Sequence, residues 1–158
     1  MSFIEKIFKF PRGAKLVLNY LWPPWWFTGI KIISIDERFT KIALRMNLRF
    51  YNRNYVGTHF GGNLFAMTDP FYMLMLLKNL GKDYIVWDKA ASIKFIKPGR
   101  SHVYVDVCLT QDKLDQIISE LSVTNPITVS FPIEVFDRQR QLIASIDKRI
   151  YIRRKSED

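Results

Sequence analysis

Cysteine is nearly absent from this 158-residue chain: Cys108 stands alone, so no intrachain disulfide can form. Histidine is almost as scarce. With only His59 and His102, no pair of histidines at helical ligand spacing and no CxxC, a metal site is not expected. Long apolar runs are missing too, since the longest, FYMLMLL at 71–77, falls far short of the roughly 20 residues that a bilayer span requires. The opening MSFIEKIFKFPRGAK lacks the extended apolar stretch of a secretory signal, and a cytoplasmic location is expected. Despite a net charge of +9, no zinc-finger spacing, RNP-type aromatic motif or helix-turn-helix pattern occurs, so nucleic acid is not the expected partner. No internal repeat or low-complexity segment is found.

Large apolar side chains are abundant. An apolar fraction of 48%, with 12 Phe, 7 Tyr and 4 Trp, implies a substantial core. The length suits a single domain: an N-terminal helix and Trp-rich segment over 1–27, a core over 28–153 and a tail over 154–158. From Ile30 onward the chain alternates apolar and polar residues in strand-like segments. GIKIISID (29–36) and KIALRMNL (41–48) flank the turn ERFT and predict a hairpin, and DYIVWDKAASIKFIK (83–97) predicts a long third strand. Later, Val103, Val105, Val107 and Leu109 share one face. Val129, Phe131, Ile133 and Val135 do the same, as do Leu142, Ala144, Ile146, Ile150 and Ile152. Residues 111–127 predict a short helix or loop between strands.

Between the second and third strands lies GGNLFAMTDPFYMLMLLKNL (61–80), apolar nearly all round a helix axis, which predicts a buried central helix. The expected fold is therefore α+β, with an antiparallel sheet of five or six strands wrapped around the helix from about Gly62 to Leu80. A single sheet of this kind leaves an open edge, so dimerisation is expected on physical grounds.

The order of elements, with a glycine pair opening the central helix and an acid seven residues beyond its second glycine, resembles the hotdog-fold acyl-CoA thioesterases, particularly the phenylacetate-pathway-like group. The matching positions are Asn54, Gly57, Gly61, Gly62 and Asp69. GTHFGGNLFAMTDPF and YIVWDKAASIKFIKPGR are similar to a bacterial branch of uncharacterised hotdog proteins of the DUF4442 type, sometimes labelled tetrameric acyl-CoA thioesterases. The chain departs from the general pattern at Phe60, which replaces the histidine usual before the glycine pair, while His59 stands one position earlier. The resemblance implies a homodimer or dimer of dimers, active sites between two subunits, and hydrolysis of an acyl-CoA or acyl carrier protein thioester. Coenzyme A would then enter as part of the substrate, with no separate cofactor.

Hydrolysing a thioester needs donors for the developing oxyanion and a base or nucleophile near the carbonyl carbon. Gly61 and Gly62 at a helix start would let the substrate approach free backbone amides, or would simply allow close packing. Asp69 is the candidate base or nucleophile, expected in a mostly apolar setting; followed by Pro70, it could instead cap a second helical segment. His59 could donate to the substrate carbonyl or hold a water, or satisfy loop backbone, and Asn54 could orient a water or cap a turn. Thr68 and Ser92 suit structural roles, and His102, Tyr104 and Asp106 form a solvated strand face. FIKPGR (95–100) resembles the family's Phe-Leu-Arg-Pro segment, which makes Lys97 and Arg100 the candidate contacts to coenzyme A phosphates.

At the N-terminus, Lys6, Lys9, Arg12 and Lys15 interleave with Phe3, Ile4, Ile7, Phe8 and Phe10 ahead of WPPWWF (22–27). Such a segment suits either a peripheral membrane contact or a helix packed over the acyl pocket or a neighbouring subunit. Pro11 and Gly13 interrupt a long amphipathic helix, which favours packing. Two other functions remain open: a non-catalytic acyl- or lipid-binding protein that kept the fold, and hydration or dehydration of an acyl thioester.

Overall fold

A computed structural model of the chain describes residues 10–155. Most of the basic and apolar residues interleaved at the N-terminus, Phe3 to Lys9, therefore lie outside the described residues. The described chain opens with α1 (Pro11–Leu16), where Pro11 supplies the fixed φ that suits a first helical turn. It runs on through a π-helical turn (Val17–Leu21) and a short 3-10 turn (Pro23–Trp25). Ala14 and Leu18, four residues apart and therefore on one side, are buried.

Six strands follow: β1 (Ile30–Ile35), β2 (Lys41–Met46), β3 (Tyr84–Phe95), β4 (Val103–Cys108), β5 (Ile127–Asp137) and β6 (Leu142–Arg154). They form one antiparallel sheet in the order β1-β2-β4-β5-β6-β3, so that β1 and β3 are its two edges. The hairpin between β1 and β2 closes as its sequence predicts. Asp36 accepts hydrogen bonds from the Thr40 amide (2.7 Å), the Thr40 hydroxyl (2.7 Å) and the Lys41 amide (2.8 Å). The period-2 faces are the buried faces: Val129, Phe131, Ile133 and Val135 of β5 point into the core, and Ala144, Ile146, Ile150 and Ile152 of β6 face the same way. The connection at 111–127 is a full helix, Gln111–Val123, capped by the Thr110 hydroxyl accepting from the Lys113 amide.

The central helix occupies its expected span in two segments, α2 (Gly61–Ala66) and α3 (Phe71–Leu80). Pro70 has no amide proton to continue the ladder, and the chain crosses 67–70 in a turn whose amides at Thr68 and Asp69 bond back to Phe65 and Ala66. Phe71, Tyr72, Met75, Leu76 and Leu80 are buried, whereas Leu77 and Lys78 lie at the surface. The expectation of a helix buried on every side is thereby corrected: the sheet covers one side of α3 only, and its other flank is open. Two aromatic contacts tie the layers together, Trp25 against Phe71 at 5.7 Å and Tyr72 stacked on Phe131 at 4.4 Å between ring centroids. α1 packs on β1, and of the Trp-rich segment Trp25 enters the core while Trp22, Trp26 and Phe27 are exposed.

Candidate functional site

One residue breaks the apolar series on the inner face of β6. Lys148 sits between Ile146 and Ile150 in the alternation and is 1% exposed. A buried ammonium is costly unless all three protons find acceptors, and here they do. Nζ donates to the Asp69 carbonyl at 2.7 Å and to Asp69 Oδ1 at 2.9 Å, and it lies 3.1 Å from Asp88 Oδ2. The turn after α2 lowers Asp69 onto the sheet, and β3 supplies Asp88 through a bulge. Asp88 pairs with Ile150 and Ala90 with Arg149, so Lys89 is the extra residue and Asp88 shares the inner face.

Asp69 remains 58% exposed at its side chain, with Oδ1 held and Oδ2 without a protein partner among the described residues. Its setting is an ion pair at the surface rather than the apolar enclosure expected from the sequence. Nor does it cap α3, whose first turn receives no side-chain hydrogen bond. An exposed carboxylate aimed by a buried cation is equipped to take a proton or attack an electrophile. At Asp88, burial raises the carboxyl above the usual 3.8 even though the Lys148 ammonium opposes that rise.

The remaining candidates gather elsewhere. His59 is buried, and its Nε2 lies 2.8 Å from the Ser101 carbonyl. A carbonyl only accepts, so Nε2 carries the proton and Nδ1, buried without a protein partner, is left as an acceptor in the neutral ring. The His59 amide also bonds the Gly99 carbonyl at 2.9 Å, which ties the motif at 59–62 to the loop that carries Lys97 and Arg100. Both of those cations are exposed, with Lys97 reaching Gln141 at 3.3 Å. Asn54 organises its own loop: Oδ1 accepts from the amides of Val56 and Thr58, and Nδ2 donates to the Thr58 hydroxyl at 2.8 Å. Thr68 is buried with its hydroxyl on the Phe65 carbonyl, and Ser92 is exposed on β3.

A Cβ at Gly61 would come within 2.8 Å of the Phe95 ring, and one at Gly62 within 2.5 Å of the Phe60 ring. Both rings are more than half exposed and can swing away, so packing alone does not demand glycine at these positions. The glycine pair and Asp69 do not meet within one chain. Gly61 rests on Phe95, which pairs with Ala144, whereas Asp69 rests on Lys148, four residues further along β6 and therefore roughly 13 Å away by strand rise. The space between helix and sheet is filled within one chain by Met67, Phe71, Met75, Ile146 and Ile150.

Burial holds the His59 imidazole below its ordinary 6.5, with nearby His102 adding to the effect and the Ser101 carbonyl opposing it. The unfolded chain therefore binds this proton more readily than the folded one. The stability tied to neutral His59 is complete above 6.5 and is lost as pH falls through the lower folded value. A thermal-melt series is expected to show the midpoint dropping on acidification below neutrality, and His59→Gln is expected to flatten that slope; equal slopes would refute the assignment.

No curated protein matches this sequence. Among solved structures, a Pseudomonas aeruginosa protein of unknown function described as a probable thioesterase superposes with a TM-score of 0.77 at 17% identity, covering 92% of this chain and 99% of its own. The Haemophilus influenzae thioesterase HI1161 superposes at 0.63 with 15% identity, covering 92% of both chains. The Escherichia coli PaaI protein of the phenylacetic acid degradation operon gives 0.56 at 17% identity over 85% of each chain. These likenesses show the hotdog fold. A family model for a domain of unknown function, DUF4442, matches residues 12–152, and the chain belongs to that family.

Proposed function

We propose that the protein hydrolyses acyl thioesters, with coenzyme A the preferred thiol carrier and Asp69 the base or nucleophile. The observation that carries this reading is the Asp69 carboxylate, exposed at the end of the helix that follows the glycine pair and fixed through one oxygen by buried Lys148. Phe60, Phe95 and Ile96 form an exposed apolar border near Gly61 and Gly62, suited to an acyl group. The amides of Gly61 and Gly62 precede the first intrahelical bond, which the Asn63 amide makes to the Phe60 carbonyl, and so are available to an oxyanion. Lys97 and Arg100, on the loop tied to His59, offer charge for the coenzyme phosphates.

Two copies are needed to complete the site. β3 is a long edge strand with Ala90, Ala91, Ser92 and Lys94 exposed, and its free side can pair with a second β3. An antiparallel pairing centred near Ile93 would set the partner's Phe95, and with it the partner's glycine pair, opposite Ala91 and the Asp69–Lys148 contact. This closes the gap that separates the two halves within one chain.

The test is release of free thiol from a panel of short-, long-chain and aromatic acyl-CoAs. Turnover of at least one is expected, with acyl carrier protein thioesters turned over more slowly. A protein that releases no thiol from any of them and copurifies with intact acyl ligand would instead be a binding module.

A further inference from the structure

Outside the candidate site, the largest departure from an ordinary surface is aromatic. Tyr20, Trp26 and Tyr51 surround one shallow cleft beside Gly29, with Phe50 packed edge-on against Tyr51 at 5.2 Å and Lys31 set 4.3 Å over the Tyr20 ring. Trp26 is 58% exposed, Phe27 77% and Phe50 86%. The neighbouring segment adds Leu16 and Leu21, both more than half exposed.

The charge on this surface has one sign. Across residues 10–68 the only acids are Asp36 and Glu37, in the β1–β2 turn. The cleft sits at the opposite end of that hairpin, where Ile30 pairs with Met46. Exposed Arg12, Arg49 and Arg53 lie in the segments that build the aromatic surface.

We propose that this surface seats the protein on an anionic lipid membrane. Tryptophan and tyrosine settle at the level of the headgroups, aliphatic side chains reach the acyl boundary, and arginines neutralise anionic headgroups. Among the described residues no helix is long and apolar enough to cross a membrane, so the attachment is peripheral. A second copy fits this surface poorly, because a two-fold interface would bring the cationic patch against itself. Single-stranded nucleic acid would use the aromatic rings as stacking platforms and would leave Leu16, Leu21 and Phe27 in water. The surface lies at the β1 edge, so it leaves the β3 edge free. The sequence favours packing over membrane contact; the exposure of Trp26 and Phe27 is the observation that supports membrane contact.

The experiment is flotation of the full chain with phosphatidylcholine vesicles, with and without about one-third phosphatidylglycerol, at low and high salt. Binding is expected to be about tenfold stronger or more on the anionic vesicles and to fall with salt. Two surface variants, Trp26→Ser with Phe27→Ser and Arg12→Glu with Arg49→Glu, are each expected to lower it about tenfold while leaving the circular dichroism spectrum unchanged. Failure to bind anionic vesicles, or undiminished binding by the Trp26/Phe27 variant, overturns the proposal. So does an oligomer that dissociates in that variant, which would assign the surface to a second copy. Tight oligonucleotide binding without vesicle binding would assign it to nucleic acid.

Discussion

Asp69→Asn is expected to lower thiol release by about 10²–10⁴-fold while leaving the melting temperature close to that of the parent. The substitution preserves shape and keeps an amide oxygen where Oδ1 accepts from Lys148. The Asp69 carbonyl, the shorter of the two contacts at 2.7 Å, is untouched. What disappears is the negative charge on an exposed oxygen, which is the property needed to take a proton from water or to attack a thioester. Burial distinguishes it from Asp88, whose Oδ1 is enclosed without a partner and whose carboxyl is pushed up, so Asp88→Asn is expected to reduce activity far less. Because the proposed site draws Asp69 and the glycine pair from different chains, coexpressing Asp69→Asn with an inactive Gly61→Val chain is expected to restore turnover. Full activity in the Asp69→Asn protein would remove this residue from the chemistry.

The sheet was legible in the sequence because its period-2 faces are long and interrupted by turn residues of recognisable type. Every strand from β1 to β6 falls inside its predicted stretch or within two residues of it. The division of the central helix was also written locally, in Pro70. The ion triad was less accessible, although half of its signal was present. Between Ile146 and Ile150 the alternation places Lys148 on the inner face, and a lysine at such a position requires buried acceptors. Asp88 could not be found this way, because the bulge at Lys89 shifts the register and no short-range pattern announces a bulge. His59 shows a different limit. Its ring partner, Ser101, lies 42 residues away in the chain, a distance over which side-chain spacing carries no information. Nor does sequence say which aromatics find partners, so Trp25 in the core and Trp26 at the surface read alike.

Lys148→Met is the variant that separates aiming from architecture. Methionine matches the aliphatic stem and fits among Ile146 and Ile150, but removing the ammonium leaves the enclosed Asp88 carboxylate without its counter-ion. Breaking a buried pair in this way costs about 3–5 kcal/mol, and a large drop in melting temperature is expected. Exposed Asp69 contributes little to that loss, since water can solvate it. Adding Asp88→Asn removes the stranded charge, so the double variant is expected to recover most of the lost stability. Activity should respond differently. With no ammonium to fix Oδ1, the Asp69 carboxylate swings through its rotamers, and a misplacement on the order of 1 Å lowers turnover about 10²-fold. The double variant is therefore expected to be stable yet slow, with the deficit in kcat rather than in KM, because in the proposed site the group that is lost holds the Asp69 carboxylate and is itself buried away from the substrate. A double variant that regains both stability and kcat would reduce Lys148 to a structural cation and leave Asp69 to find its geometry unaided.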